Sequence, residues 1–222
     1  MDDAEVLPLA ELLEERRYLA GVAGRLLGDA VAAEQVVDEV YRRWCALPEA
    51  GRRRMPAARE WLTRTAVALC LVPGAAARDG EPDAESGFSD RRHRGPATPE
   101  EHEPLAHAFG RACLTEDAER LTALLAPDAI AFFDGGGRLR APTRPVHGGG
   151  RVARGLLTLL AHRPRTVLAP HSVNGRTGFV VRYDDQVAAV ISVDVADRRV
   201  SRVWIVLNPE KLRPWNLPHT AP

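Results

Sequence analysis

Apolar residues recur at intervals of three and four positions through the start of the chain, which is the period of an amphipathic helix. The stretch "LAELLEERRYLAGVAGRLLGD" keeps this period up to Gly28, "AVAAEQVVDEVYRRWCAL" up to Pro48, and "PAAREWLTRTAVALCLV" up to Pro73. Glycine and proline are the usual helix terminators. The pattern therefore predicts a helical domain over residues 1–72, with the apolar stripes as its core.

The helical period is lost over residues 73–100, which read "PGAAARDGEPDAESGFSDRRHRGPATPE". This stretch is rich in glycine, proline, serine and charge, and it offers few apolar side chains to bury. We interpret it as a linker between two folded parts.

Short helices and β-branched runs follow over residues 101–213. "EHEPLAHAFGRACLT", "EDAERLTALLA" and "GGRVARGLLTLLAHR" have helical spacing, whereas "AIAFFD", "RTVLAPHSV", "GFVVRY", "QVAAVISVDVA" and "RVSRVWIVLN" are typical of strands. This order predicts a curved antiparallel sheet folded around helices, a cone with an apolar cavity at its mouth. Residues 214–222 are left as a tail.

Composition narrows the class of protein. The formal net charge is zero and the pI is near 7.1, which does not suggest a nucleic-acid or membrane binder. The apolar runs are too short to span a membrane and the acidic start is unlike a signal peptide, so we expect a cytoplasmic protein. Cys45, Cys70 and Cys113 lie far apart, and no His, Cys or carboxylate grouping has metal spacing. We expect neither a metal nor a cofactor.

Two sets of motifs resemble a known family. "EERRYLAGVAGRLLGDAVAAEQVVDEVYRRW" with "AREWLTRTAVALCL" resembles the core-binding second domain of extracytoplasmic-function sigma factors. "DGGGRLRAPTRPVHGGGRVARGLL", "VNGRTGFVVR" and "IVLNPEKLR" resemble the SnoaL-like extension fused to one group of them. The resemblance implies an α + (α+β) chain, in which a helical sigma-region-two-like domain precedes a SnoaL-like, nuclear-transport-factor-like cone.

The chain departs from that family where DNA is read. Such sigma factors carry a helix-turn-helix domain between these parts, and residues 73–100 are too short and too rich in glycine and proline to form one. Residues 1–72 hold ten arginines and twelve acidic residues, a balance of −2, whereas phosphate contacts need a basic domain. We expect no specific promoter DNA binding. The helical domain remains either as a scaffold or as a fragment that docks on RNA polymerase core.

The stretch "FFDGGGRLR" ends the first predicted strand. A phosphate-binding loop needs a helix directly after its glycines, and this stretch has none, so Gly135 to Gly137 fit a turn or a bulge. Asp134 has two interpretations. It is a general acid or base beside the apolar Phe132, or it hydrogen-bonds the backbone of its own turn.

Three further polar residues are candidates for catalysis. Strand alternation groups Asp194 and His171 with apolar residues, and a carboxylate in such a place needs a partner or a function. His171 is either a satisfied core group or a base, and His147 is either a helix cap or a cavity residue. We therefore name Asp134 and Asp194 as candidate acid–base groups, with His147 and His171 as reserve bases.

Three other residues are candidates for substrate binding. Phe132 and Trp204 could form apolar walls of a cavity, and Trp204 could equally pack in the core. Asn208 opens "NPEK", a motif that the resemblance places at a contact between domains, so its role is either structural or substrate-binding.

Two functions remain open. The first is a sigma-factor-like protein repurposed as a cofactor-free enzyme for a small hydrophobic molecule in natural-product biosynthesis, of the cyclase, isomerase or epoxide-opening type. The second is a transcription regulator that docks on RNA polymerase or another sigma factor, with the cone as ligand sensor or structural support. The parts of the family that are missing here are those that contact DNA, whereas the motifs of the cone are present. This difference favours the first function, the enzyme.

Overall fold

The structure is a computed structural model that describes residues 6–55, 57–71, 98–161 and 165–217. Eight helices lie in these ranges: α1 (Leu9–Leu27), α2 (Ala30–Ala46), α3 (Glu49–Arg53), α4 (Ala58–Leu71), α5 (Pro99–Leu114), α6 (Ala118–Leu124), α7 (Gly149–Leu159) and α8 (Pro209–Asn216). Six strands accompany them: β1 (Leu125–Asp134), β2 (Val146–His147), β3 (Thr166–Val173), β4 (Arg176–Tyr183), β5 (Gln186–Ala196) and β6 (Arg199–Val206). Most of the predicted linker, residues 73–97, and the predicted tail beyond residue 217 lie outside the described residues.

None of the helices in the described ranges combines the length and the apolar character needed to cross a bilayer.

The described residues divide into two compact units. The helical unit contains residues 14–55 and 57–71, and the sheet unit contains residues 6–13 together with 98–161 and 165–217. The first turn of α1 therefore belongs with the sheet, and both Leu9 and Leu12 are buried in its core. The sequence pattern assigns these two leucines to the helical domain, because the helical period runs through α1 without a break.

The helical unit has the three long helices that the periodicity predicts, and α3 adds one short turn between α2 and α4. Asp29 caps α2, because its Oδ1 accepts a hydrogen bond from the backbone N–H of Val31 at 2.8 Å. Inside the core, the hydroxyl of Tyr41 donates to Oε1 of Glu15 at 3.2 Å, and both residues are buried. This bond satisfies two polar groups that would be costly to bury alone.

The sheet has the strand order β2-β1-β6-β5-β4-β3. The predicted antiparallel meander is present as β3 to β6, but β1 pairs with β6 in parallel. The reason is the path of the chain. After β1 it passes through β2 and α7, starts the meander at the far edge of the sheet and returns beside β1 in the same direction.

One face of the sheet is covered by helices. Ala129 and Ala131 of β1, Val193 of β5 and Val203 of β6 are fully buried in the same apolar core as residues of α5, α6 and α7. Because successive side chains of a strand point to opposite faces, the residues between these belong to the other face.

We call that other face the α8 face. It presents alternate residues of β1, β6 and β5, namely Ile130, Phe132, Asp134, Arg202, Trp204, Val206, Val190, Ser192 and Asp194. Helix α8 covers one part of it, since Leu212 is buried against Val180, Val187 and Val190. The remaining part carries half-buried polar and aromatic side chains.

Both ends of the sheet unit differ slightly from the predicted bounds of 101 and 213. Thr98 caps α5 with a reciprocal bond to Glu101, so α5 begins at Pro99. Helix α8 continues to Asn216, whose side chain accepts from the N–H of Val187 at 2.7 Å and donates to its carbonyl at 2.9 Å. These two bonds hold the last turn of α8 on β5.

We expect Gly110→Ala in α5 to lower the free energy of unfolding by about 1–3 kcal/mol, the cost of overpacking a core. A Cβ at this position would lie 2.3 Å from Cε1 of the buried Phe179. Gly150→Ala in α7 is the matched control, because no atom lies within 4 Å of its Cβ position. Thermal unfolding followed by circular dichroism compares the two variants, and equal losses would contradict this packing.

Candidate functional site

The glycine motif and the Asn-Pro motif meet at the end of β1. Asp134 is the last residue of β1, and its Oδ1 accepts from the backbone N–H of Gly136 at 3.0 Å. Its Oδ2 accepts from Nζ of Lys211 at 2.8 Å. The turn hydrogen bond that the sequence allows is therefore present, together with an ion pair to α8.

The turn after Asp134 is packed against the start of α8. Gly136 has a φ of 59°, and a Cβ there would lie 2.3 Å from Nδ2 of Asn208. Asn208 is buried, and its Oδ1 accepts from the N–H of Glu210 at 3.0 Å, which caps α8. Glu210 in turn pairs with Arg138. These contacts give the glycine motif a steric role. Because Gly136 has no side chain, it leaves room for Asn208 at the start of α8, the helix that partly covers the α8 face.

An aromatic pair with a carboxylate lies on the uncovered part of the α8 face. The rings of Phe132 and Trp204 are stacked, with centroids 4.2 Å apart and planes 12° from parallel. The indole Nε1 of Trp204 donates to Oδ2 of Asp194 at 3.1 Å. All three side chains are half-buried. We call these three residues the aromatic–carboxylate cluster.

A β-bulge sets the position of Asp194. The register between β5 and β6 shifts between Asp194 and Val195, which leaves Ser201 as the extra residue of β6. The hydroxyl of Ser201 donates to the carbonyl of Asp194 at 3.2 Å. Bulges bend a strand and re-aim side chains, and they are frequent beside functional sites.

The two candidate histidines lie on the outer strands of the sheet, β2 and β3. His147 lies on β2 opposite Ile130 and is exposed, and its carbonyl accepts from Nε of Arg151 at 2.7 Å. His171 is exposed on β3, where its ring and the ring of Trp215 form a T-shaped pair with centroids 5.2 Å apart. Three strand spacings separate β3 from β6, roughly 14 Å, so His171 lies away from Trp204.

One buried histidine escaped the sequence analysis. His102 on α5 is 1% exposed, and its Nε2 lies 3.0 Å from the carbonyl oxygen of Val193 on the helix-covered face. The available signal was its spacing, because His102, Ala106, Phe109 and Cys113 form the apolar stripe of α5. This single hydrogen bond fits a satisfied core group.

Few polar or reactive side chains lie in the described interior between the sheet and the helices. In the described part of the sheet unit, the buried polar residues are His102 and Asn208, and both aspartate candidates lie on the α8 face instead. Burial raises the pKa of the Cys113 thiol to about 12, which removes it as a nucleophile. No group of three metal-binding side chains occurs among the described residues.

An open depression of about 470 Å³ lies elsewhere, at the start of α5. It is lined by Glu100, Glu101, Pro104, Leu105 and Arg198. Most of these side chains are charged and exposed, so the depression differs from the apolar cavity that the sequence predicts.

No family model and no curated protein matches this chain. Among solved structures, the Mycobacterium tuberculosis extracytoplasmic function sigma factor SigJ is 22% identical over 94% of this chain and 99% of its own, with a TM-score of 0.44. An epoxide hydrolase of the LEH-like type from M. tuberculosis is 17% identical over 53% of this chain and 90% of its own, with a TM-score of 0.36. An NTF2-like protein of unknown function from Mesorhizobium loti is 13% identical over 52% of this chain and 97% of its own, with a TM-score of 0.39. These identities and TM-scores are too low to assign a family or an activity.

We expect Asn208→Ala to lower the free energy of unfolding by about 1 kcal/mol, the usual cost of losing an N-cap. Lys211→Gln removes the ion pair to Asp134, in which both side chains are substantially exposed, and should cost less, at most about 0.5 kcal/mol. Urea denaturation followed by circular dichroism measures both. A larger loss for Lys211→Gln would mean that the ion pair, rather than the cap, holds α8.

Proposed function

We propose that the sheet unit binds a small, flat organic molecule at the aromatic–carboxylate cluster and converts it without a cofactor. The observation that carries the proposal is the bond from Trp204 to Asp194 beside the stacked ring of Phe132. A flat apolar surface next to an oriented proton acceptor is what a proton-transfer reaction on a small molecule needs.

Aromatic side chains supply the binding surface in this proposal. Ligand sites are mostly apolar, with a few polar groups that fix the orientation of the ligand. The stacked pair gives such a surface, and Ile130 adds an apolar side chain beside it on β1. Ring-shaped ligands stack on these residues by the same offset or edge contacts that aromatic side chains make with one another.

Asp194 supplies the chemistry. One of its oxygens accepts from the indole of Trp204, which fixes the orientation of the carboxylate. The carboxylate then takes a proton from a carbon or hydroxyl of the ligand and returns it at another atom. Double-bond isomerisation consists of such a transfer. In aldol cyclisation the same proton removal generates the carbanion that attacks a second carbonyl carbon, and the new alkoxide takes up the proton. In epoxide opening the carboxylate takes a proton from the water that attacks a ring carbon, and the oxygen released from that carbon is protonated. None of these reactions requires a metal or an organic cofactor.

Asp134 is the weaker of the two aspartate candidates. Both of its oxygens are occupied, one by the turn at Gly136 and the other by Lys211. A proton transfer by this residue would have to break contacts that hold α8. The geometry therefore supports Asp194 as the acid–base group.

We expect Asp194→Asn to lower turnover by about 10²–10⁴-fold, the usual contribution of a general base. Asparagine keeps an oxygen that can accept the Trp204 bond, so the fold should survive, and circular dichroism checks this. Asp134→Asn is the comparison variant. The assay offers β,γ-unsaturated ketones, poly-β-ketones and small epoxides, and follows them by nuclear magnetic resonance in heavy water. Wild-type turnover by a folded Asp194→Asn variant would exclude Asp194 as the base.

A second candidate function is the docking of the helical unit on RNA polymerase core. The observation in its favour is a pair of exposed apolar side chains at the turn between α1 and α2, Leu26 at 50% and Val31 at 68% exposure. Both residues flank the same turn, and exposed apolar surface is a feature of sites that bind another protein.

If this docking occurs, Leu26→Asp and Val31→Asp should each weaken binding to purified polymerase core by about tenfold. Arg64→Ala is the control, because Arg64 is an exposed, charged residue in the middle of a different helix, α4. Surface plasmon resonance measures the affinities. No binding by the wild type, or equal weakening by the control, would count against docking at this turn.

A further inference from the structure

A guanidinium lies in the row of residues that borders the aromatic–carboxylate cluster. Arg202 on β6 is half-buried and stands directly opposite Asp194 on β5 and beside Ile130 on β1. It precedes Trp204 by two residues, so both side chains belong to the same face of the strand. Arg202 has another interaction within the protein as well, and its positive charge belongs to this row of the α8 face.

The chain segment that follows β1 and contains the edge strand β2 is also basic. Residues 135–161 contain five arginines, one histidine and no acidic residue, although the whole chain has no net charge. Strand β2 lies within this segment, and its His147 is the register partner of Ile130. Of the arginines, Arg144 and Arg151 are exposed on either side of β2. Positive charge is therefore concentrated in the segment that follows β1, and within it Arg138 is paired with Glu210.

From these two observations we infer that the cluster selects anions, and that its ligand is a flat organic acid whose carboxylate is held by Arg202. The inference rests on the proposed function, since it names the chemical class of the molecule that stacks on Phe132 and Trp204. It makes Arg202 a specificity-determining residue.

Guanidinium groups suit this role for physical reasons. The planar fork of arginine matches the two oxygens of a carboxylate and also stacks against rings, so one residue can hold the acid group of a ligand whose ring lies on Trp204. The carboxylate of Asp194 would repel an anionic ligand. Its bond to the Trp204 N–H draws that carboxylate towards the indole, and the charge of Arg202 opposes the repulsion.

The test compares two probes of the same shape, naphthalene-2-carboxylate and its neutral amide, naphthalene-2-carboxamide. Isothermal titration calorimetry of the full chain at low ionic strength should show about tenfold tighter binding of the carboxylate, because a hydrogen bond to a charged group is worth more than a neutral one. Added salt should reduce the preference, since it screens exposed charge.

Three variants separate the possible explanations. Arg202→Gln should remove the preference, because it should weaken binding of the carboxylate about tenfold more than binding of the amide. Arg202→Lys should keep part of the preference because it keeps the charge. Arg199→Gln is the control, because Arg199 is an exposed arginine of the same strand whose Nη1 donates to the carbonyl of Leu125. Trp204→Leu should weaken both probes, and circular dichroism confirms that each variant is folded.

The outcomes distinguish this inference from the function on which it rests. Equal binding of both probes by the wild type, or a preference that survives Arg202→Gln, would overturn anion selection and leave the proposed site standing. Binding of neither probe, or no effect of Trp204→Leu, would overturn the proposed site and the inference together.

Discussion

The parallel pairing of β1 with β6 is the contact on which the rest of the sheet unit depends. It joins two strands that are separated in the chain by β2, α7 and the first three strands of the meander. This pairing stacks Phe132 on Trp204, and it ends where the carbonyl of Asp134 accepts from the N–H of Leu207 at 2.7 Å. The chain then turns into α8. The aromatic surface and the helix beside it are thus both consequences of one long-range strand contact.

Strand alternation explains how much of the site the sequence predicts. The period of two is a local property, so it groups Asp194 with Ser192 and Trp204 with Arg202 before any fold is known. The pairing of β5 with β6 sets Ser192 opposite Trp204 and Asp194 opposite Arg202. Helix periodicity succeeds in the same way for α2 and α4, because an apolar stripe and its terminators lie within one stretch of sequence.

The contacts that the sequence could not predict are those between distant residues. Asp134 pairs with Lys211, which lies 77 positions away in the chain. A pattern within a short stretch of sequence cannot predict such a distant partner. Alternation says which residues share a face but not which face the helices cover, so it does not predict that Asp134 and Asp194 lie on the face opposite the apolar core. Leu9 shows the same limit, since α1 is one continuous helix although its first turn packs with the sheet.

The length of helix α8 is fixed by contacts at both of its ends. Asn208 anchors its first turn under Gly136, and Asn216 anchors its last turn on Val187, while Leu212 between them is buried. One residue inserted or deleted between the two asparagines would rotate one anchor by about 100° relative to the other. Leu212 or Asn216 would then face water. In related proteins we therefore expect the residues on the exposed side of α8 to vary, but the number of residues in the helix to stay constant. Loops differ in this respect, because their length varies at low cost.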